Sequence, residues 1–214
     1  MWGGDYLLKM LLNGVKMKCY IIFLWEFTKM YEIIMKKKII FAGFGGQGVL
    51  TLGQIIALTQ MNRGLNVTWI PSYGAEMRGG TANCSVIYSD EPIGSPIIKH
   101  GIDILIAMNE VSLHKFENEV IPGGMIMIES SIVKNKTTSR KDVNVCYIPA
   151  TDLATELGNM KVLNTVMLGA FAKVTNDFTK EEAFETLKEK LHGKEKLFIL
   201  NEKAINIGFE KVKQ

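Results

Sequence analysis

Apolar and polar positions follow two rhythms along this chain from Met35 onward. Lys38–Ala42 is a short run of β-branched and aromatic residues that ends in glycines, and Val49–Arg63 then carries apolar residues at helical spacing, with Gly64 placed to end the helix. The local pattern is strand, glycine turn, helix. Apolar runs bounded by turn residues predict further strands over Asn66–Pro71, Ala82–Tyr88, Ile102–Met108, Met125–Glu129 and Val143–Ile148, with Ile102–Met108 apolar enough to be buried on both faces. Helical spacing predicts helices over Val111–Glu119, Thr151–Leu157, Asn164–Thr175, Lys180–Leu191 and Glu202–Val212. Strands alternating with helices predict an α/β domain, a three-layer sandwich around an open, mostly parallel but mixed sheet. The Gly79-Gly80 pair and the polar stretch Ser130–Asp142 read as loops, and no internal repeat or low-complexity tract is present.

Met1–Ile34 breaks this rhythm. It mixes Trp2, Tyr6, Tyr20, Trp25 and Tyr31 with Lys9, Lys16, Lys18 and Glu26, and its best apolar run, Cys19–Trp25, falls far short of the ~20 residues that span a bilayer. Neither that run nor Leu7–Leu12 is followed by the small-residue cleavage site of a signal peptide. The expectation is an N-terminal extension from an upstream start, with a single α/β domain over residues 35–214. The rival reading is a membrane-surface or partner-binding helix, because aromatics and lysines are interspersed. At 214 residues, 47% hydrophobic and 22% charged, the chain has the composition of a globular domain and room for a real core. A net charge of +3 is too mild to call for nucleic acid or any other polyanion.

Metal chemistry finds little support. Cys19, Cys84 and Cys146 are odd in number and far apart, with no Cys-x-x-Cys pair, and His100, His114 and His192 are equally scattered. No metal site and no iron–sulfur cluster is expected in this chain.

The most informative stretch is Gly43-Phe44-Gly45-Gly46-Gln47-Gly48. Glycines at 43, 45 and 48 have the G-x-G-x-x-G spacing directly after a predicted strand and before a helix, a Rossmann-like arrangement. There, bare backbone N–H groups and a helix N-terminus can cradle a phosphate or pyrophosphate. A tight turn with no ligand is the plain alternative. Nicotinamide binding is disfavoured, because the second strand ends Ile70-Pro71-Ser72-Tyr73 without an acid to hold a ribose. A Walker-type loop fails for want of a Lys-Ser or Lys-Thr. A second loop, Pro71–Thr81, follows the second strand and is expected at the same carboxyl edge of the sheet. Arg78 beside Gly79 and Gly80 suits a phosphate or carboxylate; Glu76 is a candidate partner, and a surface ion pair is the alternative.

Together, the strand with Gly43–Gly48, the Ser72–Gly80 loop, the Ser85–Pro92 stretch and Val162-Leu163-Asn164-Thr165 resemble the gamma subunit of 2-oxoacid:ferredoxin oxidoreductases over about residues 36–212. The resemblance implies a subunit of a thiamine-diphosphate enzyme that oxidatively decarboxylates a 2-oxoacid, 2-oxoglutarate first, with pyruvate and branched-chain oxoacids behind it. Acyl-CoA is the product and electrons leave through iron–sulfur clusters to ferredoxin. It implies a cytoplasmic hetero-oligomer of an anaerobe with alpha, beta and delta subunits, thiamine diphosphate, Mg²⁺ and clusters residing on those partners. Coenzyme A is the ligand it implies here, with Gly43, Gly45, Gly46, Gln47, Gly48, Arg78, Gly79, Gly80 and Asn164 as the binding residues and none of them catalytic. Some single-chain relatives have an arginine two positions before the residue matching Asn164; this chain has Val162, with Lys161 adjacent. Two other readings stand beside it: a stand-alone nucleotide-binding protein of the same fold, and an interaction subunit whose glycine turn is empty.

Overall fold

The computed structural model describes residues 35–74, 80–133, 138–192 and 194–213; Met1–Ile34, expected to be an extension, with Cys19, and the loop residues Glu76, Arg78 and Gly79 lie outside the described residues. Six strands form one sheet in the order β2-β3-β1-β4-β5-β6, where β1 is Lys36–Phe44, β2 Asn66–Tyr73, β3 Thr81–Ser89, β4 Ile102–Ala107, β5 Val120–Glu129 and β6 Asn144–Ile148. β1, β4, β5 and β6 pair in parallel; β3 alone is reversed, antiparallel to both β1 and β2. The sheet is therefore mixed, and β2 points the same way as β1.

The central strands are buried on both faces, as their continuous apolar runs require. Ile39 and Phe41 of β1 join Ile104 and Ile106 of β4 in one core cluster, while Ile40 and Ala42 join Leu105 and Ala107 in another. The two layers are unequal. The larger cluster packs against α1 (Val49–Asn62), α3 (Ala150–Glu156), α4 (Leu163–Thr175), α5 (Lys180–Lys190) and α6 (Phe198–Lys211), whereas the smaller meets the short α2 (Glu110–Phe116) through Leu113. α4 is the central helix, with Thr165 through Ala172 buried.

Element ends differ from the sequence reading where local chemistry overrides the apolar pattern. β5 begins at Val120, five residues before the expected Met125, because the strand passes through an irregularity at Pro122-Gly123-Gly124 that reads as a turn; Gly123 has φ 77° and the register against β4 shifts between Ile102 and Ile104. α2 stops at Phe116 and gives way to a 3-10 turn over Glu117–Glu119. Glu117 turns inward there, accepting a bond from the Thr138 hydroxyl at 2.6 Å and lying 3.2 Å from His114 Nδ1. α6 starts at Phe198, not Glu202. Its first turn inverts the usual pattern, with Ile199 exposed and Asn201 buried. α1 ends as read, Gly64 at φ 85° donating to Met61 and Leu65 to Gln60, which satisfies the last carbonyls of the helix. The β6 edge is covered by an antiparallel bridge between Tyr147 and Lys213.

Candidate functional site

Because β1 and β2 run the same way, the turns beyond their ends meet at one edge. Phe44 is paired with Thr81 and Tyr73 with Ala82, and the Gly45 amide donates to the Gly80 carbonyl at 2.9 Å, tying the glycine turn to the end of the second loop. This edge lies where β1 has β3 on one side and β4 on the other, the point at which open α/β sheets leave a crevice.

Gln47 spans that crevice. Its Oε1 accepts from the Phe44 amide at 2.6 Å and its Nε2 donates to the Met108 carbonyl at 2.9 Å, so one side chain ties the turn to the end of β4. Gly43 serves the same packing: a Cβ there would lie 2.7 Å from Gln47 Oε1 and from Val49 Cγ2. Gly46 differs, since at φ 103° it faces open space. Gly48, at φ 76°, ends the turn beside Asn164, whose Cβ and Cγ would stand 3.0 Å from any Cβ placed there. As N-cap of α1, Gly48 offers no side chain, so the first-turn amides of a 14-residue helix carry no side-chain cap and present the positive end of its dipole.

Two clefts open on this helix end and share Gly46, Gly48 and Thr51. The first, of about 540 Å³, is lined by Phe44, Leu50, Trp69, Pro71 and Tyr73, with no charged side chain among the described residues that line it. The second, of about 400 Å³, is lined by Asn159, Lys161, Asn164, Lys190, Lys194 and Asn201 among others, with no acid among the described residues that line it. Lys190 reaches α1 through a bond to Gln54, and burial pulls its ammonium below the ordinary lysine pKa. Val162 is buried in the core, and its neighbour Lys161 is an exposed cation on the cleft wall.

The structure thus brings Gly43, Gly45, Gly46, Gln47, Gly48, Gly80 and Asn164 to one edge, with Gly43 and Gln47 packed into the turn. The sequence reading did not single out Thr51, Trp69, Lys190 and Lys194, which line the two clefts. The lysines sit in a run of alternating Lys and Glu that reads as a solvated helix face, and only the packing of α5 against α1 carries two of them to the glycine turn. Among the described residues no group of three His, Cys, Asp or Glu side chains is arranged to hold a metal ion, and no helix is long and apolar enough to cross a membrane. Cys84 and Cys146 are buried thiols, pushed up by burial to about 12 and about 11.

A glycine turn, an uncapped helix and flanking clefts are shared by many nucleotide-handling folds. The pattern of the pyruvate ferredoxin/flavodoxin oxidoreductase family matches residues 38–211. The chain belongs to this family. 2-Oxoglutarate synthase subunit KorC of Methanocaldococcus jannaschii is 32% identical over 187 residues, covering 86% of this chain and 97% of KorC. Ketoisovalerate oxidoreductase subunit VorA of Methanothermobacter thermautotrophicus is 38% identical over 79% of this chain, which spans only 35% of VorA. Among solved structures, the gamma subunit of a keto/oxoacid ferredoxin oxidoreductase from Geobacter sulfurreducens superimposes with TM-score 0.68 at 29% identity, covering 82% of this chain and 97% of that one. A 2-oxoglutarate:ferredoxin oxidoreductase from Magnetococcus marinus, with 2-oxoglutarate, coenzyme A and succinyl-CoA bound, shares the fold at TM-score 0.73 and 24% identity over 81% of this chain and 30% of that one. This family member is of the gamma-subunit type, and its relatives are subunits of oxidoreductases.

Proposed function

We propose that this chain is the gamma subunit of a thiamine-diphosphate-dependent 2-oxoacid:ferredoxin oxidoreductase and that its task is to hold coenzyme A over the N-terminus of α1. The observation that carries the reading is the uncapped first turn at Gly48–Thr51, open on both sides to clefts large enough for a long ligand. A coenzyme pyrophosphate placed there meets unpaired main-chain amides and the positive end of the dipole. 2-Oxoglutarate is the substrate we favour, since KorC, matched over nearly its whole length, is a subunit of 2-oxoglutarate synthase.

Thiamine diphosphate with Mg²⁺ supplies the carbanion-stabilising chemistry when bound, and we place it, with the iron–sulfur clusters, on alpha, beta and delta partner subunits, because the described residues offer no acid or cysteine cluster to hold either. The complex would work in the cytoplasm and pass electrons to ferredoxin. This chain's contribution is then positional: it fixes the thiol donor so that acyl transfer becomes effectively intramolecular, which lowers the barrier by several kcal/mol without a general base here.

The assembled enzyme tests this through 2-oxoacid-dependent, CoA-dependent reduction of a viologen dye. Thr51→Asp keeps a residue favoured in the first turn of a helix but sets a carboxylate beside the phosphate site. Its apparent KM for CoA rises about tenfold while the KM for the 2-oxoacid and subunit assembly stay put. An unchanged KM for CoA contradicts the assignment. The reading of an interaction subunit with an empty turn draws support from Gln47 and from the Gly45–Gly80 bond, which use part of the turn internally; it predicts no heat when CoA is titrated into the complex.

A further inference from the structure

β1 and β4 separate at the carboxyl edge of the sheet, and one side chain fills the gap. Their parallel pairing runs from Ile39↔Ile104 to Ala42↔Ala107, and the Met108 amide still donates to the Ala42 carbonyl at 2.8 Å. In a parallel ladder the next rung carries the Phe44 amide to the Met108 carbonyl. Here the Gln47 carboxamide stands between the two: its Oε1 accepts from the Phe44 amide at 2.6 Å and its Nε2 donates to the Met108 carbonyl at 2.9 Å. A carboxamide has the acceptor and donor of a peptide group, so one direct rung is replaced by two and neither main-chain group is left unpaired. On its other side β1 stays with β3, through the Phe44–Thr81 pair and the bond from the Gly45 amide to the Gly80 carbonyl. Gly43 completes the fit, because a Cβ there would stand 2.7 Å from Gln47 Oε1 and 3.0 Å from Met108 Cβ.

We propose that Gln47 is a wedge that holds β1 and β4 apart beyond Ala42, and that this spacing, rather than a contact between Gln47 and a ligand, keeps the Gly45–Gly48 turn open to the coenzyme. The inference rests on the coenzyme reading and gives one of its residues a different part: Gln47 is a positioning residue, each polar atom of its side chain already having a main-chain partner. Without the wedge, the Phe44 amide and the Met108 carbonyl are left facing one another, and two unpaired main-chain groups close the missing rung by drawing the strands together. That closure pulls Phe44, Gly45 and Gly46 toward β4 and away from the walls of the clefts that they line. The bond from Gly45 to Gly80 is strained by the same movement, so the turn loses its tie to the end of the second loop as well. The coenzyme must then reopen the crevice at the expense of its own binding energy, which weakens binding without touching the chemical step.

Two variants of the assembled enzyme separate spacing from hydrogen bonding. Gln47→Ala removes the wedge and both bonds, whereas Gln47→Met keeps its length and volume and makes neither bond. Both lose stability in urea unfolding, but Gln47→Ala is expected to raise the apparent KM for CoA about tenfold and Gln47→Met only about twofold, with kcat at saturating CoA and the KM for the 2-oxoacid holding steady in each. Should Gln47→Ala fail to assemble, Gln47→Asn, one methylene too short to reach both strands, takes its place with the same expected rise. A crystal structure of the shortened variant is expected to show the Phe44 amide bonded directly to the Met108 carbonyl. A KM for CoA that rises equally in the short and the long variants means direct contact with the coenzyme, an unchanged KM in both means a merely structural residue, and strands still parted in the shortened variant mean that nothing was being wedged; each overturns the inference and leaves the coenzyme reading intact. A wild-type complex that turns over without CoA and binds none overturns the coenzyme reading, and this inference falls with it.

Discussion

Gly46 and Gly48 both hold a left-handed backbone, yet a side chain at each meets different surroundings. Gly46 faces open space, so Gly46→Ala meets only backbone strain and lowers stability by about 1–2 kcal/mol in urea unfolding. Gly48→Ala also presses on Asn164, so its loss in the same measurement is the larger of the two; equal losses would show that Asn164 yields freely. Burial holds Cys84 and Cys146 well above the usual thiol range, so neither is alkylated by iodoacetamide at pH 8 while the domain is folded, and both are labelled in urea. Rapid labelling of either in the native chain would contradict the packing of β3 and β6. Legibility at this scale was uneven. The glycine spacing announced the turn, but nothing in the sequence showed that Gln47 would spend its amide on Phe44 and Met108, since that requires the end of β4 to lie beside the turn.

At the scale of elements, the tightest contact is the crossing of α4 and α6. Gly169 lies against the Ile205 carbonyl and Gly208 against the Val166 carbonyl, and a Cβ at either would fall well inside contact distance of main-chain atoms that have no rotamer to move into. Gly208→Ala is therefore expected to cost about 3 kcal/mol in chemical unfolding, while Thr179→Ala, which removes the capping box of α5, costs about 1 kcal/mol. A Gly208→Ala loss no greater than that of Thr179→Ala would contradict the close approach of these helices. Helices and strands with regular apolar spacing were legible from the chain, α1 and α5 almost to the residue. What escaped were the ends governed by single polar or glycine residues: the irregularity at Gly123 that hid half of β5, the inward Glu117 that shortens α2, and the buried Asn201 that disguises the first turn of α6.

For the whole molecule, the strand–helix alternation conveyed an α/β sandwich with a mixed sheet, but not that β2 and β3 form a hairpin and so place β2 parallel to β1. That topology brings the second turn and the aromatic wall beside the glycine turn, and the packing of α5 against α1 brings the lysines to its other side. Half of the candidate site was therefore written in local sequence and half exists only in the fold. The direct measurement is the structure of the assembled enzyme soaked with coenzyme A. The account predicts coenzyme density across Gly46–Thr51; density confined to a different surface, with the α1 end covered by a neighbouring subunit, would contradict it.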